Sequence, residues 1–263
     1  VHPLFDAFET IRFTMKKLTG KSMKQYVIGD VHGYYETLLE LVGRLPGDAE
    51  LLFVGDLIDR GPQSFDVVRF VRGGGHRCVM GNHEAMMVQD GPSVLEALRW
   101  RRPLDPGLLW FYNGGIRTLE SYGLSTGRVS DATARAERMA QFEDDLQWMS
   151  KLPLYIEPET AAGRRMVVSH ACVSSVWAQR KSEPERFRET ALWSRKVPKR
   201  EACEIFNVFG HTPVHGGVQR GPCHVNVDTG CYLGRAPYGK LSAYCLQTGE
   251  TVSVARVETD ESP

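Results

Sequence analysis

Apolar residues in the first third of the chain switch regularly between a strand-like and a helix-like spacing. Tyr26-Val27-Ile28 is a short apolar run ending at Gly29 and reads as a buried strand. Leu38, Leu41, Val42 and Leu45 follow at i, i+3, i+4, i+7, one face of a helix, and Pro46-Gly47-Asp48 closes it. Residues 51–54 form a second run, and Val67, Val68 and Val71 mark a second helix ending at Gly73-Gly74-Gly75. Residues 77–80 form a third run. The β-α-β-α-β order predicts neighbouring parallel strands with right-handed crossovers. Ligands of such sheets sit beyond the carboxyl ends of the strands.

Residues 84–150 carry a helical pattern, with Met139, Phe142, Leu146 and Met149 as core positions. Gly114-Gly115 breaks it between Trp110-Phe111-Tyr112 and Ile116. This insert is expected to cap a site and shape its groove. Beyond Leu154 the pattern is mainly strands, at 154–157, 166–169, 205–209, 225–227, 241–246 and 251–257, the last two joined as a hairpin through Gln247-Thr248-Gly249-Glu250. The expected fold is α/β (α+β): two mixed β-sheets packed as a sandwich, with flanking helices and the helical insert. Residues 1–22 read as an N-terminal extension, or a remnant of expression, ahead of a catalytic domain over 23–263. Leu4, Phe5, Phe8, Ile11 and Phe13 give that extension an apolar face for a short packed helix.

Composition narrows the partners. The 263 residues are 42% hydrophobic and 24% charged with zero formal net charge, so no basic surface for nucleic acid is expected. No apolar run approaches the ~20 residues of a membrane span. Six scattered cysteines without a Cys-x-x-Cys pair suggest reduced thiols and a cytoplasmic protein. Residues 1–22 lack the pattern of a signal peptide. A monomer is expected.

The chemistry-bearing residues stand at the ends of the apolar runs. Gly29-Asp30-Val31-His32-Gly33, Gly55-Asp56-Leu57-Ile58-Asp59-Arg60-Gly61 and Gly81-Asn82-His83-Glu84 place Asp30, Asp56 and Asn82 at equal 26-residue intervals. Two later runs end in His170-Ala171 and Gly210-His211-Thr212-Pro213. Asp, His and Asn suit divalent first-row metals such as manganese, iron and zinc. Each motif alone is weak, because Asp and Gly are common turn formers. Five motifs sharing one placement point to a two-metal hydrolytic site, with Asp56 as the bridging carboxylate. His83 follows Asn82 and, in a locally extended chain, points the other way, toward a leaving group. Asp59 is placed to hold its second ring nitrogen. Glu84 is given a structural part at a helix start, and Trp193 a place packed beneath the site.

The motif set resembles the PPP family of metallophosphatases, nearest in look to its bacterial and bacteriophage lambda-type branch. Trp110 to Gly115, Leu152-Pro153-Leu154, Leu192-Trp193-Ser194-Arg195 and Val227-Asp228-Thr229-Gly230 extend the likeness over roughly residues 24–257. The resemblance implies a calcineurin-like metallophosphoesterase fold. It implies Asp30, His32 and Asp56 on one metal, and Asp56, Asn82, His170 and His211 on the other. It implies His83 as general acid oriented by Asp59, Arg60 and Arg195 as phosphate clamps, and manganese as the metal, with iron or zinc as alternatives. The expected activity is hydrolysis of phosphoserine and phosphothreonine in phosphoproteins or phosphopeptides, with phosphotyrosine and small aryl phosphates also accepted, through attack of a hydroxide bridging both metals. Two alternatives stand beside it, a symmetrical dinucleoside polyphosphate hydrolase and a phosphodiesterase. Glu84 and Thr212 favour the protein phosphatase, since the tetraphosphatases usually carry Asp and lack Thr there. Met80 leans the other way, because the phosphatases usually carry Arg at that position.

Overall fold

A computed structural model describes residues 23–125, 132–159, 165–197 and 203–257. The expected helix over 1–22 lies outside them. The strands are β1 (Gln25–Ile28), β2 (Glu50–Phe53), β3 (Arg77–Cys78), β4 (Tyr155–Ile156), β5 (Met166–Ser169), β6 (Phe206–Phe209), β7 (Gln219–Gly221), β8 (His224–Asn226), β9 (Lys240–Cys245) and β10 (Thr251–Ala255). The helices are α1 (Tyr35–Gly43), α2 (Ser64–Gly73), α3 (Asn82–Arg99), α4 (Leu109–Tyr112), α5 (Gly115–Ser121), α6 (Ala132–Met149) and α7 (Pro184–Trp193).

Two five-stranded mixed sheets form, in the orders β10-β9-β1-β2-β3 and β4-β5-β6-β8-β7. β1, β2 and β3 are parallel, as are β5, β6 and β8. β9, β4 and β7 run antiparallel to their neighbours β1, β5 and β8, and β10 is antiparallel to β9. Side chains alternate across each strand. Val27 and Leu52 therefore face Val168, Val208 and Val225 of the other sheet, while Ile28 and Phe53 pack under α1 and α2 against Leu38, Leu41, Val67 and Val68. Val167, one residue from Val168, turns outward to Trp177 and Phe187. The expected sandwich with flanking helices is the observed fold.

The terminal hairpin belongs to the first sheet, with β9 pairing antiparallel to β1. The differences are local. The third strand is shorter than expected, because Met80 N–H leaves the ladder to donate to Pro153 O at 2.8 Å. α7 and β7 were not expected. α7 buries only Phe187, Ala191 and Leu192, and β7 is polar and half exposed, so neither carries a strong period.

A buried carboxylate helps fix the insert to the sandwich. Asp145 on α6 accepts from Arg72 Nη1 of α2 at 2.7 Å, from Tyr122 Oη at 3.0 Å and from Gln141 Nε2 at 3.0 Å.

Candidate metal centre

Six strand ends converge. β1, β2 and β3 lead into Asp30, Asp56 and Asn82, and β5, β6 and β8 lead into His170, His211 and Asp228. The backbone there is strained. Among the described residues, six non-glycine positions have positive φ, and five belong to the site: His32 (49°), Asp56 (49°), Asp59 (70°), Arg60 (68°) and His211 (71°). Left-handed backbone costs an L-residue roughly 1–2 kcal/mol, so the surroundings must hold these turns. Glu84 supplies much of that hold. Fully buried at the start of α3, its carboxylate accepts the N–H groups of Asp56 (2.8 Å), Leu57 (2.8 Å) and Gly81 (2.9 Å). The N–H groups of Val31 and His32 both donate to Asp56 O, at 3.1 and 2.9 Å.

The imidazoles are set by backbone carbonyls. His170 Nδ1 donates to Val54 O and His32 Nδ1 to Ile58 O, both at 2.9 Å. Burial lowers the pKa of both rings, which leaves each Nε2 as a bare lone pair. His32 Nε2 faces Asp56 Oδ2, and His170 Nε2 faces Asp56 Oδ1, each at 3.5 Å. His170 Nε2, Asn82 Oδ1 and His211 Nδ1 meet within 2.9–3.1 Å of one another. Burial, followed by His170, lowers His211 to about 4. The His170 nitrogen and the Asn82 oxygen are both acceptors, and two acceptors at 2.9 Å repel unless they share a cation.

The carboxylates carry the same message. Asp30, Asp56, Glu84 and Asp228 are all buried. Burial, then Asp228 and Asp56, pushes Asp30 well above the usual carboxylate range. Burial raises Glu84 and Asp228 to about 7. Burial would raise Asp56 too, but four surrounding histidines hold it low. Asp228 Oδ2 is buried without a hydrogen-bond partner. Negative charge therefore accumulates faster than the protein's own groups neutralise it. The donor set of carboxylates, neutral imidazoles and an amide oxygen fits two divalent cations on either side of Asp56. His32 with Asp56, and Asp56 with His170 and His211, present ligand atoms close enough to share them. Asp30 stands behind, with both oxygens accepting His211 N–H at 3.2 and 3.0 Å.

His83 lies beside the first group. Its Nε2 is 3.9 Å from Asp56 Oδ2 and 3.4 Å from Arg60 Nη2, and its Nδ1 contacts Asp59 Oδ2 at 2.6 Å. His83 Nε2 lies close enough to His32 and Asp56 to share an ion with them, but the Arg60 guanidinium beside it disfavours positive charge at that nitrogen. Burial alone would lower the ring pKa, but Asp56 and Asp59 outweigh it and hold it above the ordinary value. The expected extended chain at His83 is not observed. Asn82 and His83 open α3, and the helical turn aims their side chains at different partners.

Arg60 lies over the Tyr232 ring, 4.1 Å from its centroid, and Tyr232 meets the His32 ring edge-on at 4.9 Å. Arg195 stays exposed, its charge felt by His211. Trp193 does not pack beneath the site. It is 43% exposed and stands edge-on to His211 with centroids 6.5 Å apart. Glu84 has the structural part expected of it. Asp228, Tyr232, Trp110 and Thr118 belong to the site without having been singled out for it. For Asp228 the signal was available, since it follows the apolar run 225–227 as His170 and His211 follow theirs.

The calcineurin-like phosphoesterase family profile matches residues 23–232, and the chain belongs to that family. It is a metallophosphoesterase, a hydrolase. A protein of Coxiella burnetii (strain Dugway 5J108-111) named symmetrical bis(5'-nucleosyl)-tetraphosphatase is 28% identical, covering 87% of this chain and 90% of its own. A protein of the same name from Bordetella pertussis is also 28% identical, covering 87% of this chain and 94% of its own. The fold matches a solved structure provisionally assigned as a diadenosine tetraphosphatase, with a TM-score of 0.54, 22% identity, and coverage of 90% of this chain and 95% of that one. No described helix is long and apolar enough to cross a membrane.

Proposed function

We propose that this metallophosphoesterase cleaves dinucleoside tetraphosphates symmetrically, adding water across the central P–O–P linkage to give two nucleoside diphosphates. One observation carries this choice of substrate: relatives bearing that name align with 87% of the chain and with nearly all of their own length. Met80 supports it. A buried thioether stands where a phosphoprotein phosphatase of the resembling branch usually carries Arg. A phosphoprotein substrate ranks behind this reading.

Asp30, His32 and Asp56 would hold one divalent ion, and Asp56, Asn82, His170 and His211 the other. Such a pair supplies Lewis acidity and a water acidic enough to attack at neutral pH. The chain's own groups do the rest. Arg60 offers a planar guanidinium to phosphoryl oxygens. Its place over Tyr232 holds it beside His83, where charge develops on the departing oxygen. Arg195, exposed beside His211, meets the phosphates extending outward. His83 holds a proton at Nε2 for the leaving oxygen, while Asp59 fixes the ring through Nδ1. A departing nucleoside diphosphate is far less basic than a serine alkoxide, so this proton matters less for the tetraphosphate than for an alkyl ester.

The discriminating experiment compares kcat/KM for diadenosine tetraphosphate and a phosphoserine peptide with manganese. A large preference for the tetraphosphate is expected. Efficient peptide dephosphorylation with negligible tetraphosphate cleavage would restore the phosphoprotein reading.

A further inference from the structure

A set of buried polar contacts joins the helical insert to Asp59. Trp110 Nε1 donates to Asp59 Oδ1 at 2.9 Å and reaches Oδ2 at 3.2 Å. Thr118 Oγ1 donates to Oδ1 at 2.6 Å. Asp59 N–H is shared between Thr118 Oγ1 and Ser64 Oγ, both at 3.0 Å. Asp59, Trp110, Thr118 and Ser64 are fully buried. A hydroxyl has one proton and two lone pairs. Thr118 therefore gives its proton to the short carboxylate contact and receives from Asp59 N–H and from Ser64, whose hydroxyl lies 3.2 Å away. Thr118 holds Oδ1, Trp110 Nε1 straddles both oxygens with its shorter contact to Oδ1, and the shortest contact to Oδ2 is His83 Nδ1, at 2.6 Å.

The local sequence is shaped for this grip. Asp90 Oδ2 accepts Trp110 N–H at 3.0 Å, which pins the start of α4. The indole then lies across Gly115, where a Cβ would come within 2.6 Å of the ring. Gly114 has a φ of +105°, and its Cα faces Arg60 so closely that a Cβ would stand 3.1 Å from Arg60 N. The two glycines turn the chain so that Trp110 and Thr118, eight residues apart, reach the same carboxylate.

We propose that Trp110 and Thr118 are positioning residues for proton delivery: they clamp the Asp59 carboxylate so that Oδ2 holds His83 Nδ1 and aims Nε2 at the leaving oxygen. The insert is thereby part of the reaction's machinery rather than only a cap over it. This rests on the reading of His83 as the proton donor, but not on the choice of tetraphosphate as substrate.

The test uses the manganese-loaded full chain with phenyl phosphate, a poor leaving group, and p-nitrophenyl phosphate, a good one. Thr118→Val removes the donor at constant shape, Thr118→Ser restores it, and His83→Asn is measured in parallel. Displacing a catalytic group by about 1 Å costs up to ~100-fold. Thr118→Val is accordingly expected to lose about 10- to 100-fold in kcat on phenyl phosphate and markedly less on p-nitrophenyl phosphate, with Thr118→Ser near wild type. With diamagnetic zinc in place of manganese, the low-field proton resonance of His83 Nδ1–H, absent in His83→Asn, should shift in Thr118→Val and return in Thr118→Ser. If Thr118→Val does not fold, Thr118→Cys replaces it, since a thiol is a weaker donor of similar size. Equal losses on both esters and an unmoved resonance in Thr118→Val, beside a leaving-group-dependent His83→Asn, would overturn the clamp alone. No leaving-group dependence in His83→Asn would overturn the proton-donor reading and the clamp with it.

Discussion

Glu84 and Asp56 are tied together through the backbone: Glu84 Oε2 accepts Asp56 N–H at 2.8 Å, while its other oxygen accepts Leu57 N–H at the same distance. Asp56, whose carboxylate faces His32 and His170, is thus held through its backbone by a second buried carboxylate.

That relationship predicts the behaviour of Glu84→Gln. The amide has one acceptor oxygen for three converging N–H groups, and its NH2 meets at least one of them donor to donor. An unsatisfied buried donor costs about 1–3 kcal/mol, so unfolding should shift by roughly that amount in urea. Partners that orient ligands are worth about 10- to 100-fold in metal affinity, and manganese binding by calorimetry should weaken within that range. Glu84→Asp, shorter by one methylene, should lie between the two.

The Trp193 position predicts a split between substrates. Base stacking on an aromatic ring contributes about 1–3 kcal/mol. Trp193→Ala should therefore raise KM for diadenosine tetraphosphate by roughly 5- to 100-fold. Inorganic tetraphosphate, which has no base, should be cleaved with nearly unchanged KM, and Trp193→Phe should recover most of the loss. Equal effects on both would remove the ring from substrate binding.

The insert's anchor predicts an alkaline effect on stability. Burial, then Asp145, raises Tyr122 well above the ordinary tyrosine value of about 10. The unfolded chain releases this proton first, so the contribution is fully present below pH 10. It is lost as pH rises from there toward the folded value. Urea midpoints between pH 8 and 11 should therefore fall more steeply for the wild type than for Tyr122→Phe. Parallel curves would show that Tyr122 titrates alike in both states.

Asp145→Ala tests the same anchor at neutral pH. It leaves the part-buried Arg72 without one of its two carboxylate partners and Tyr122 Oη without its acceptor. Removing one partner of a buried pair costs about 3–5 kcal/mol. The lower end is expected, because Asp144 remains 2.8 Å from Arg72 Nη1. Thermal unfolding measures it.

The parallel halves of both sheets were legible because short apolar runs end in Gly-Asp, Gly-Asn, Ser-His, Gly-His or Val-Asp at the strands' carboxyl ends. α7 was not legible, because burying Phe187, Ala191 and Leu192 leaves most of its residues polar. Within the site, ligand-type residues announce themselves by chemistry and place. Trp110 and Thr118 do not, since an indole and a hydroxyl gain their part only through the close approach that Gly114 and Gly115 permit. The outward turn of Trp193 was equally hidden: an aromatic residue beside a buried leucine reads as core until its exposure is seen. Substrate choice hung on single positions, with Glu84 and Thr212 pulling one way and Met80 the other. The full-length relatives weigh more than any one of them.

The most direct test of the central claim is product analysis. Diadenosine tetraphosphate is incubated with the manganese-loaded protein in 18O-labelled water, and the nucleotides are separated and weighed. Two molecules of ADP, one carrying a single label on its terminal phosphate, are expected. ATP with AMP, or intact tetraphosphate beside a rapidly dephosphorylated phosphopeptide, would contradict the account.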